Sequence, residues 1–538
     1  MQTKTCIFSI ILLFFLSINH ALSSPPPPIT PATICSYTPF PSFCRSTIPA
    51  DNKSATIHDY GRYSVQHSLK MTNKFLSLVN RYLRQRRRFG FPQSTVLALQ
   101  DCQSLASLTR DFLSNAIRSI GSMATLPTTQ TDSTQTLLSA AITNIQTCLD
   151  GLQETSSSVK TSLLAPLTNG SMSYSVSLAL FKRGWGAAGR HRKISSSTNY
   201  DRILNGGRKL LQKVGINANV NQMVVVDPNG KGDFTSINDA VAAAPNNTAV
   251  SNGYYVISIA AGVYQEYVNI PINKMYVMMV GAGINKTIIT GNRSVVDGWT
   301  TYSSATFVVT GQGFVAQKIT FRNTAGAVKH QAVALRSGAD LSAFYQCSFE
   351  GYQDTLYTHS MRQFYKKCDI YGTVDFIFGN AAVVFQNCNI YPRLPMPGQF
   401  NSITAQGRID INQNTGTSIQ NCILKAAPDL ASSNGTIQTY LGRPWQNYSR
   451  TIVMQSFLDN VINPAGWTPW SGNQSLDTLY YAEFNNKGPG SVTTNRVKWP
   501  GFHLINATDA ANFTVSSFIQ GTNWLPTTGV AFASGLKV

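Results

Sequence analysis

The sequence predicts two folds in one chain: first an all-α four-helix bundle, then an all-β region built as a right-handed parallel β-helix. Three observations carry this. Apolar positions keep helical spacing through residues 25–180. From about Val220 that period vanishes, and short β-branched or aromatic runs alternate with Gly and Asn turns. Within the second region Cys347-Ser348-Phe349, Cys368-Asp369-Ile370 and Cys388-Asn389-Ile390 recur at spacings of 21 and 20, each after an aromatic run. Asn421-Cys422-Ile423-Leu424 echoes the series after a longer insertion, and Ile319-Thr320-Phe321 precedes it. A period near twenty with one recurring small or apolar position suggests coils stacking like residue on like. A sandwich of hairpins would show two-residue Asn-Gly or Asp-Gly turns, and few occur.

Composition bounds what such a chain can do. Its 538 residues are 43% hydrophobic and 10% aromatic, enough for a large core, which excludes whole-chain disorder. Forty-three Lys and Arg against 24 Asp and Glu give a net charge of +19 and point to an anionic partner: nucleic acid, an acidic membrane or an acidic polymer.

Residues 1–24 read as a signal peptide, with Lys4, an apolar stretch from Cys6 to Ile18, and the small residues Ala21, Ser23 and Ser24. The stretch is shorter than the ~20 residues a spanning helix needs, so no stable membrane insertion is expected. Secretion argues against nucleic acid as a partner. The run Arg84, Arg86, Arg87 and Arg88 is read as a solvated helix end. Secretion also makes ten Asn-X-Ser/Thr sites, from Asn52 to Asn512, candidate glycan acceptors.

In residues 25–180, helix spacing runs through Leu69, Thr72, Leu76, Val79 and Leu83, through Leu105, Leu108, Phe112 and Ala116, and through Leu138, Ala141, Ile145 and Leu149. Cys35, Cys44, Cys102 and Cys148 form an even set that allows three pairings. Residues 181–219 are rich in Gly, Lys and Arg and read as an exposed linker, with Arg208-Lys209-Leu210-Leu211 as a place for a protease to cut.

The repeat of residues 220–538 places two acids together. Asp354 and Asp375 each lie seven residues after a repeat cysteine, Cys347 and Cys368. Stacked cysteines therefore imply stacked aspartates, about one strand spacing of ~4.8 Å apart. Two carboxyls that close do not both ionise easily, which yields an acid and a nucleophile or base from one residue type. The plainer reading makes them turn residues capping local amides. Against it, Gly351-Tyr352-Gln353-Asp354-Thr355-Leu356-Tyr357 and Val374-Asp375-Phe376-Ile377-Phe378-Gly379 surround both acids with apolar and aromatic side chains.

Together with Gly262-Val263-Tyr264-Gln265-Glu266, Gln331-Ala332-Val333-Ala334-Leu335 and Leu441-Gly442-Arg443-Pro444-Trp445, these segments resemble, in order, the motif set of plant pectinesterases, or pectin methylesterases. The N-terminal region is similar to the pectinesterase-inhibitor domain that precedes the enzyme in longer plant forms, through Cys35 and Cys44, Gln100-Asp101-Cys102 and Thr147-Cys148. The resemblance implies an extracellular cell-wall enzyme that hydrolyses methyl esters of homogalacturonan to pectate and methanol. Asp375 would be the nucleophile and Asp354 the proton donor and later base. Gln331 and Gln353 would stabilise the oxyanion, Arg443 would pair with Asp375 and lower its pKa, and Thr301 and Trp445 would contact substrate. It further implies Cys35–Cys44 and Cys102–Cys148 bridges. The helical region is expected to hold its own catalytic domain silent until the linker is cut, with a processing protease and pectinesterase inhibitor proteins as partners, and no metal or cofactor is expected.

Other motifs are weaker. Gly281-Ala282-Gly283 with Lys286-Thr287 lacks the Gly directly before Lys that a phosphate loop has, and is read as a turn. The histidines show no metal-ligand spacing, no Gly-X-Ser-X-Gly elbow occurs, and His330 and His359 are near the acids only in sequence. Among the repeat cysteines a Cys368–Cys388 bridge is the first expectation, with Cys388–Cys422 or a free ladder as alternatives. Two other functions compete: a glycoside hydrolase cutting polygalacturonate, and an inhibitor acting in trans on other pectinesterases. The charge is uneven. Residues 1–219 carry +15 and residues 220–538 only +4, so most of the excess lies in the part expected to be removed.

Overall fold

Two helices in the first part of the chain begin at side-chain caps. Thr30 caps helix α1 (Pro31–Cys35), which is followed by α2 (Pro41–Thr47). Thr56 and Asp59 form a capping box on α3 (Ile57–Arg84). Three more long helices follow, α4 (Gln93–Ile120), α5 (Thr128–Gln153) and α6 (Val159–Trp185). The computed structural model describes residues 27–49, 54–155, 159–186, 218–433 and 437–537. The signal-like stretch and Arg208, Lys209, Leu210 and Leu211 lie outside them.

The four long helices form the expected bundle, with α1 and α2 added at its N-terminal end. Val79 and Leu83 of α3, Leu105 and Ala116 of α4, and Leu138 and Ala141 of α5 share one buried core. A Cys102–Cys148 bridge joins α4 to α5, and a Cys35–Cys44 bridge joins the two short helices. Helix α6 shows no simple apolar period because it buries serines as well. Ser68 of α3 shares hydrogen bonds with Ser173 (2.7 Å) and Ser177 (2.9 Å) of α6.

From Val220 onward the strands pair in parallel and form three sheets of eleven, seven and eight strands, each coil adding one strand to each face. The architecture is a parallel β-helix. Like stacks on like inside it: Phe344, Tyr365, Phe385 and Ile419 are register partners, with successive aromatic rings 4.6 and 4.7 Å apart. Each coil turns a sharp corner just before its repeat position, and Gln346, Lys367, Asn387 and Asn421 take positive φ there. Asparagine tolerates that conformation better than most residues, which explains the repeated Asn-Cys. Gly281-Ala282-Gly283 is another coil corner, where Gly283 donates its N–H to the Lys318 carbonyl at 3.1 Å.

The corners stack the cysteines as the repeat predicts. Asp369 N–H bonds the Cys347 carbonyl (2.9 Å), Asn389 that of Cys368 (2.8 Å) and Ile423 that of Cys388 (2.9 Å). The expected Cys368–Cys388 bridge is corrected, because Cys347, Cys368, Cys388 and Cys422 are all free and buried. In-register side chains run parallel, so their sulfurs repeat at about the coil spacing of ~4.8 Å. A disulfide needs about 2.05 Å and converging Cβ atoms. Each thiol instead leans toward a backbone carbonyl of the preceding coil, as Cys368 does to Phe344 at 3.4 Å and Cys388 to Tyr365 at 3.5 Å. In the chain without residues 1–24, a thiol reagent should find no reactive cysteine in the native state. After unfolding without reductant it should find the four ladder thiols; two would mean that a bridge exists.

Candidate active site

Asp354 and Asp375 sit in equivalent turns, each two residues before a strand of the seven-stranded sheet, Leu356–Thr358 and Ile377–Gly379. Both take positive φ, 63° and 51°. For a residue with a Cβ this is a strained backbone that the surrounding stack must hold in place. The turns are adjacent: Asp354 donates its N–H to the Val374 carbonyl at 3.1 Å, and Leu356 pairs with Ile377.

Arg443 reaches Asp375 from two coils further on. Its row in the sheet reads Phe378, Ala405, Arg443 in register, and the small Ala405 leaves the guanidinium room to fold back. Nε meets Asp375 Oδ1 at 2.8 Å and a terminal nitrogen meets Oδ2 at 2.6 Å, a two-pronged ion pair. Trp470 stacks on the guanidinium at 4.2 Å. Gly407 makes room for the Trp445 ring, which a Cβ there would approach to 2.8 Å.

A cavity of about 250 Å³ brings Thr301, Gln331, Gln353, Asp354, Asp375, Arg443 and Trp445 together. Gln331 and Gln353 come from neighbouring coils, tied by the Ala332 N–H to the Gln353 carbonyl at 3.2 Å. The cavity also contains groups the motifs did not single out. Tyr357 and Phe378 follow their aspartates by three residues and stack at 4.1 Å. The coil period carries that signal, since the same offset recurs in both turns. Trp470 arrives from the long excursion between the strands Phe457–Leu458 and Tyr480–Phe484 and leaves no periodic trace. His359 is not among the lining groups: its ring nitrogens bond Thr147 and Ser360, each at 3.0 Å. His330 ends a short 3-10 turn.

The cavity has a roof, formed by Thr147, Asp150, Gly151 and Glu154 at the end of α5 and just beyond it. Tyr302, Val333, Tyr357, Phe378 and Ala405 of the β-helix belong to the same buried cluster as the bundle core. Polar contacts fasten the join: Asn380 to Thr143 at 3.0 Å, Gln413 to the Ser139 carbonyl at 2.9 Å, and Arg362 to Ser133 at 3.2 Å.

This covering sets the protonation of the pair. Burial, then the charge of Asp375, pushes the Asp354 carboxyl well above the usual carboxylate range, with Arg443 opposing. Burial also raises Asp375, while the hydrogen bonds and charge of Arg443 pull it back. The expected net lowering of Asp375 is thus corrected for the covered site, where desolvation is the larger effect. The asymmetry remains, because only Asp375 has a guanidinium bonded to it.

A family model described as Pectinesterase matches residues 223–522, more than half of the chain. The chain belongs to the pectinesterase family. A second model, Plant invertase/pectin methylesterase inhibitor, matches residues 30–180. The chain is 52% identical to probable pectinesterase/pectinesterase inhibitor 20 of Arabidopsis thaliana, over 97% of this chain and 99% of that one. It is 47% identical to the pectinesterase/pectinesterase inhibitor of Ficus pumila var. awkeotsang, over 84% and 82%. Among solved structures, the pectin methylesterase from carrot matches with a TM-score of 0.57 and 55% identity, covering 58% of this chain and 98% of that one.

In this pectinesterase the reach of Arg443 depends on a small residue at 405. Ala405→Met should crowd the guanidinium off Asp375 and raise the Asp375 pKa further; a carboxyl carbon NMR titration would register the shift, and an unmoved value would refute the dependence.

Proposed function

We propose that the chain hydrolyses the methyl esters of pectin, and that its helical region, residues 25–180, holds the enzyme of residues 220–538 silent until the linker of residues 181–219 is cut. The observation that carries the first part is an aspartate gripped by an arginine beside a second aspartate pushed toward its protonated form. Asp375 attacks the ester carbonyl as a carboxylate. The amides of Gln331 and Gln353 donate to the oxyanion, a role suited to a group that donates without titrating. Asp354 gives its proton to the departing methoxide, so methanol leaves and an acyl-enzyme remains on Asp375. Asp354, now a carboxylate, takes a proton from water, which attacks the acyl carbonyl and frees the galacturonate and Asp375. Trp445 and Thr301 hold the sugar. Arg443 keeps the nucleophile charged and aimed, more so once water replaces the helices.

The rival glycoside-hydrolase reading needs the acids but not Arg443 and the two glutamines as a set. Incubation of the cut enzyme with methylated pectin separates the two: methanol without new reducing ends is expected, and the reverse would sink the esterase. Asp375→Ala should lower methanol release by roughly a thousandfold. Arg443→Lys keeps the charge but loses the second prong and should cost about a hundredfold in kcat.

The silencing rests on the roof. In the uncut chain Thr147, Asp150, Gly151 and Glu154 of the helical region line the cavity of about 250 Å³ where the polymer would have to lie. The uncut chain should release methanol at least tenfold more slowly than the processed form; equal rates would end the idea. The roof also carries a pH dependence. Burial raises Asp101 to about 6, facing Thr300, Ser303 and Arg336. It raises Asp150 to about 7, facing Gln146 and Glu154. Carboxyls raised in the docked state favour docking most below about pH 4, their ordinary range, and the contribution is lost as pH rises through 6 and 7. Separated helical region should therefore inhibit the cut enzyme more strongly at pH 5 than at pH 7.5, and the opposite order would refute this assignment.

A secreted, cell-wall location follows from the signal-like N-terminal stretch and the family. Among the described residues no helix is long and apolar enough to cross a membrane. The sequon asparagines that are described, including Asn169, Asn285 and Asn473, are exposed and open to glycosylation. Methylated homogalacturonan is the substrate, a protease acting near Arg208-Lys209-Leu210-Leu211 the activator, and separate inhibitor proteins further partners for the uncovered cleft.

A further inference from the structure

The helical region carries a charged surface of its own, on a helix that takes no part in the roof. Between Asp59 and Asp101 the chain has eight Lys and Arg and no acid. Most of that stretch is helix α3, which packs on α4 and α6 through a face that includes Val65, Thr72, Val79 and Leu83. The helical repeat puts Gln66, Lys70, Asn73, Lys74, Ser77, Arg81 and Arg84 on the opposite face, and all of them are exposed. A shallow groove of about 570 Å³ runs along the first part of this stripe, where Leu69 joins its lining. From Lys70 to Arg84 the stripe is about 21 Å long at ~1.5 Å per residue. Past Arg84 the chain turns toward α4, and Arg86, Arg87 and Arg88 stand exposed in the turn. Among the described residues no carboxylate pairs with Lys70, Lys74, Arg81, Arg84 or these three arginines. At the tip Phe89 is 47% exposed and stacks on Phe91 at 5.2 Å, with Tyr82 packed against both.

Folding of the bundle does not call for this arrangement. Lys70 and Lys74, and Arg81 and Arg84, are like-charged neighbours on one helix face, which costs a little stability. An anion laid along the stripe removes that repulsion. Two features select the anion. The stripe is narrow and straight, so it fits a chain with charges spaced along its length better than a compact ion. Its cations alternate with Gln66, Asn73 and Ser77, whose amides and hydroxyl suit a polymer that presents hydroxyls as well as acids. The exposed Phe89 ring adds a surface for the C–H face of a sugar. A membrane would need a broad apolar side to enter the bilayer. Here Leu69 is half-buried in the groove and Phe89 alone stands out.

We propose that the exposed face of α3 and the Arg86–Arg88 turn form a binding surface for unesterified homogalacturonan, separate from the cleft over Asp354 and Asp375. The choice of polymer rests on the pectinesterase reading; the presence of a polyanion surface does not. The surface is open in the uncut chain, where the cleft is covered. It holds the silent enzyme on stretches of polymer whose acids are already free. Cutting the linker then releases the β-helix at that place, while the helical region stays bound. Fully methylated polymer carries no charge and is not held.

The test uses the uncut chain without residues 1–24, with unesterified oligogalacturonate binding measured by calorimetry. Wild-type affinity should fall several-fold between about 50 and about 200 mM salt, and a fully methylated oligomer should bind at least tenfold more weakly. Arg86→Gln/Arg87→Gln/Arg88→Gln should weaken binding about tenfold, and Lys70→Gln/Lys74→Gln and Phe89→Ala each several-fold. Lys231→Gln/Lys286→Gln/Lys487→Gln removes the same charge as the arginine variant from exposed positions of the β-helix and should stay within twofold of wild type. An arginine variant within twofold of wild type, or an equal loss in the β-helix variant, would overturn the surface. Binding to vesicles containing phosphatidylserine without binding to oligogalacturonate would also overturn it, in favour of a membrane. Melting curves check folding, and Lys70→Gln/Lys74→Gln carries the test if the arginine variant is unstable. The readout needs no turnover, so the two readings fail separately. A cut chain that releases no methanol removes the esterase and leaves a binding uncut chain in support of the surface, whereas an active enzyme whose uncut chain does not bind overturns the surface alone.

Discussion

Stacking in register at one coil spacing is the constraint on which the rest of the molecule depends. Parallel strands leave no freedom once the first few are aligned, because shifting one by a residue would turn its interior side chains to the surface. The aromatic ladder Phe344, Tyr365, Phe385 holds that register from within. The same alignment places Asp354 over Asp375, Gln331 beside Gln353, and Ala405 between Phe378 and Arg443. No single contact brings the acids together. They share a turn type in successive coils, and the whole stack bears the strain of their positive φ.

On this rigid floor the electrostatics are decided by what covers it. With α5 in place both aspartates are driven toward their neutral forms, and Arg443 opposes that drive at only one of them. The covering also puts carboxyls of the bundle, Asp101 and Asp150, into surroundings that raise them. Catalytic and interface acids thus respond to one variable, the exclusion of water from the cleft. The basic excess of the chain has no part in this: it lies mostly in residues 1–219, while the cleft works through a few buried groups.

Much of this was legible in the sequence where periodicity was strict. The spacing of Cys347, Cys368 and Cys388 implied stacked coils, and counting from the cysteines to Asp354 and Asp375 implied stacked acids. The failure at Cys368 and Cys388 is instructive. Spacing shows that two residues are neighbours, but parallel side chains in a ladder stay a coil apart, so adjacency did not become a bond. Trp470 and the serine-lined α6 were missed for a different reason. The first reaches the site from an irregular excursion, and the second is packed by polar contacts, so neither writes a period.

By itself the sequence determined which residue types recur at which interval, and hence the two folds, the paired acids and the family motifs. Only the tertiary structure decided what lies on top of them. That α5 covers the cleft, that the Asp101 carboxyl is bonded by the hydroxyls of Thr300 and Ser303, and that burial outweighs Arg443 at Asp375 all depend on contacts between residues some 200 or more positions apart. No local pattern encodes such contacts, because they form only when two separately folded surfaces meet and exclude water between them.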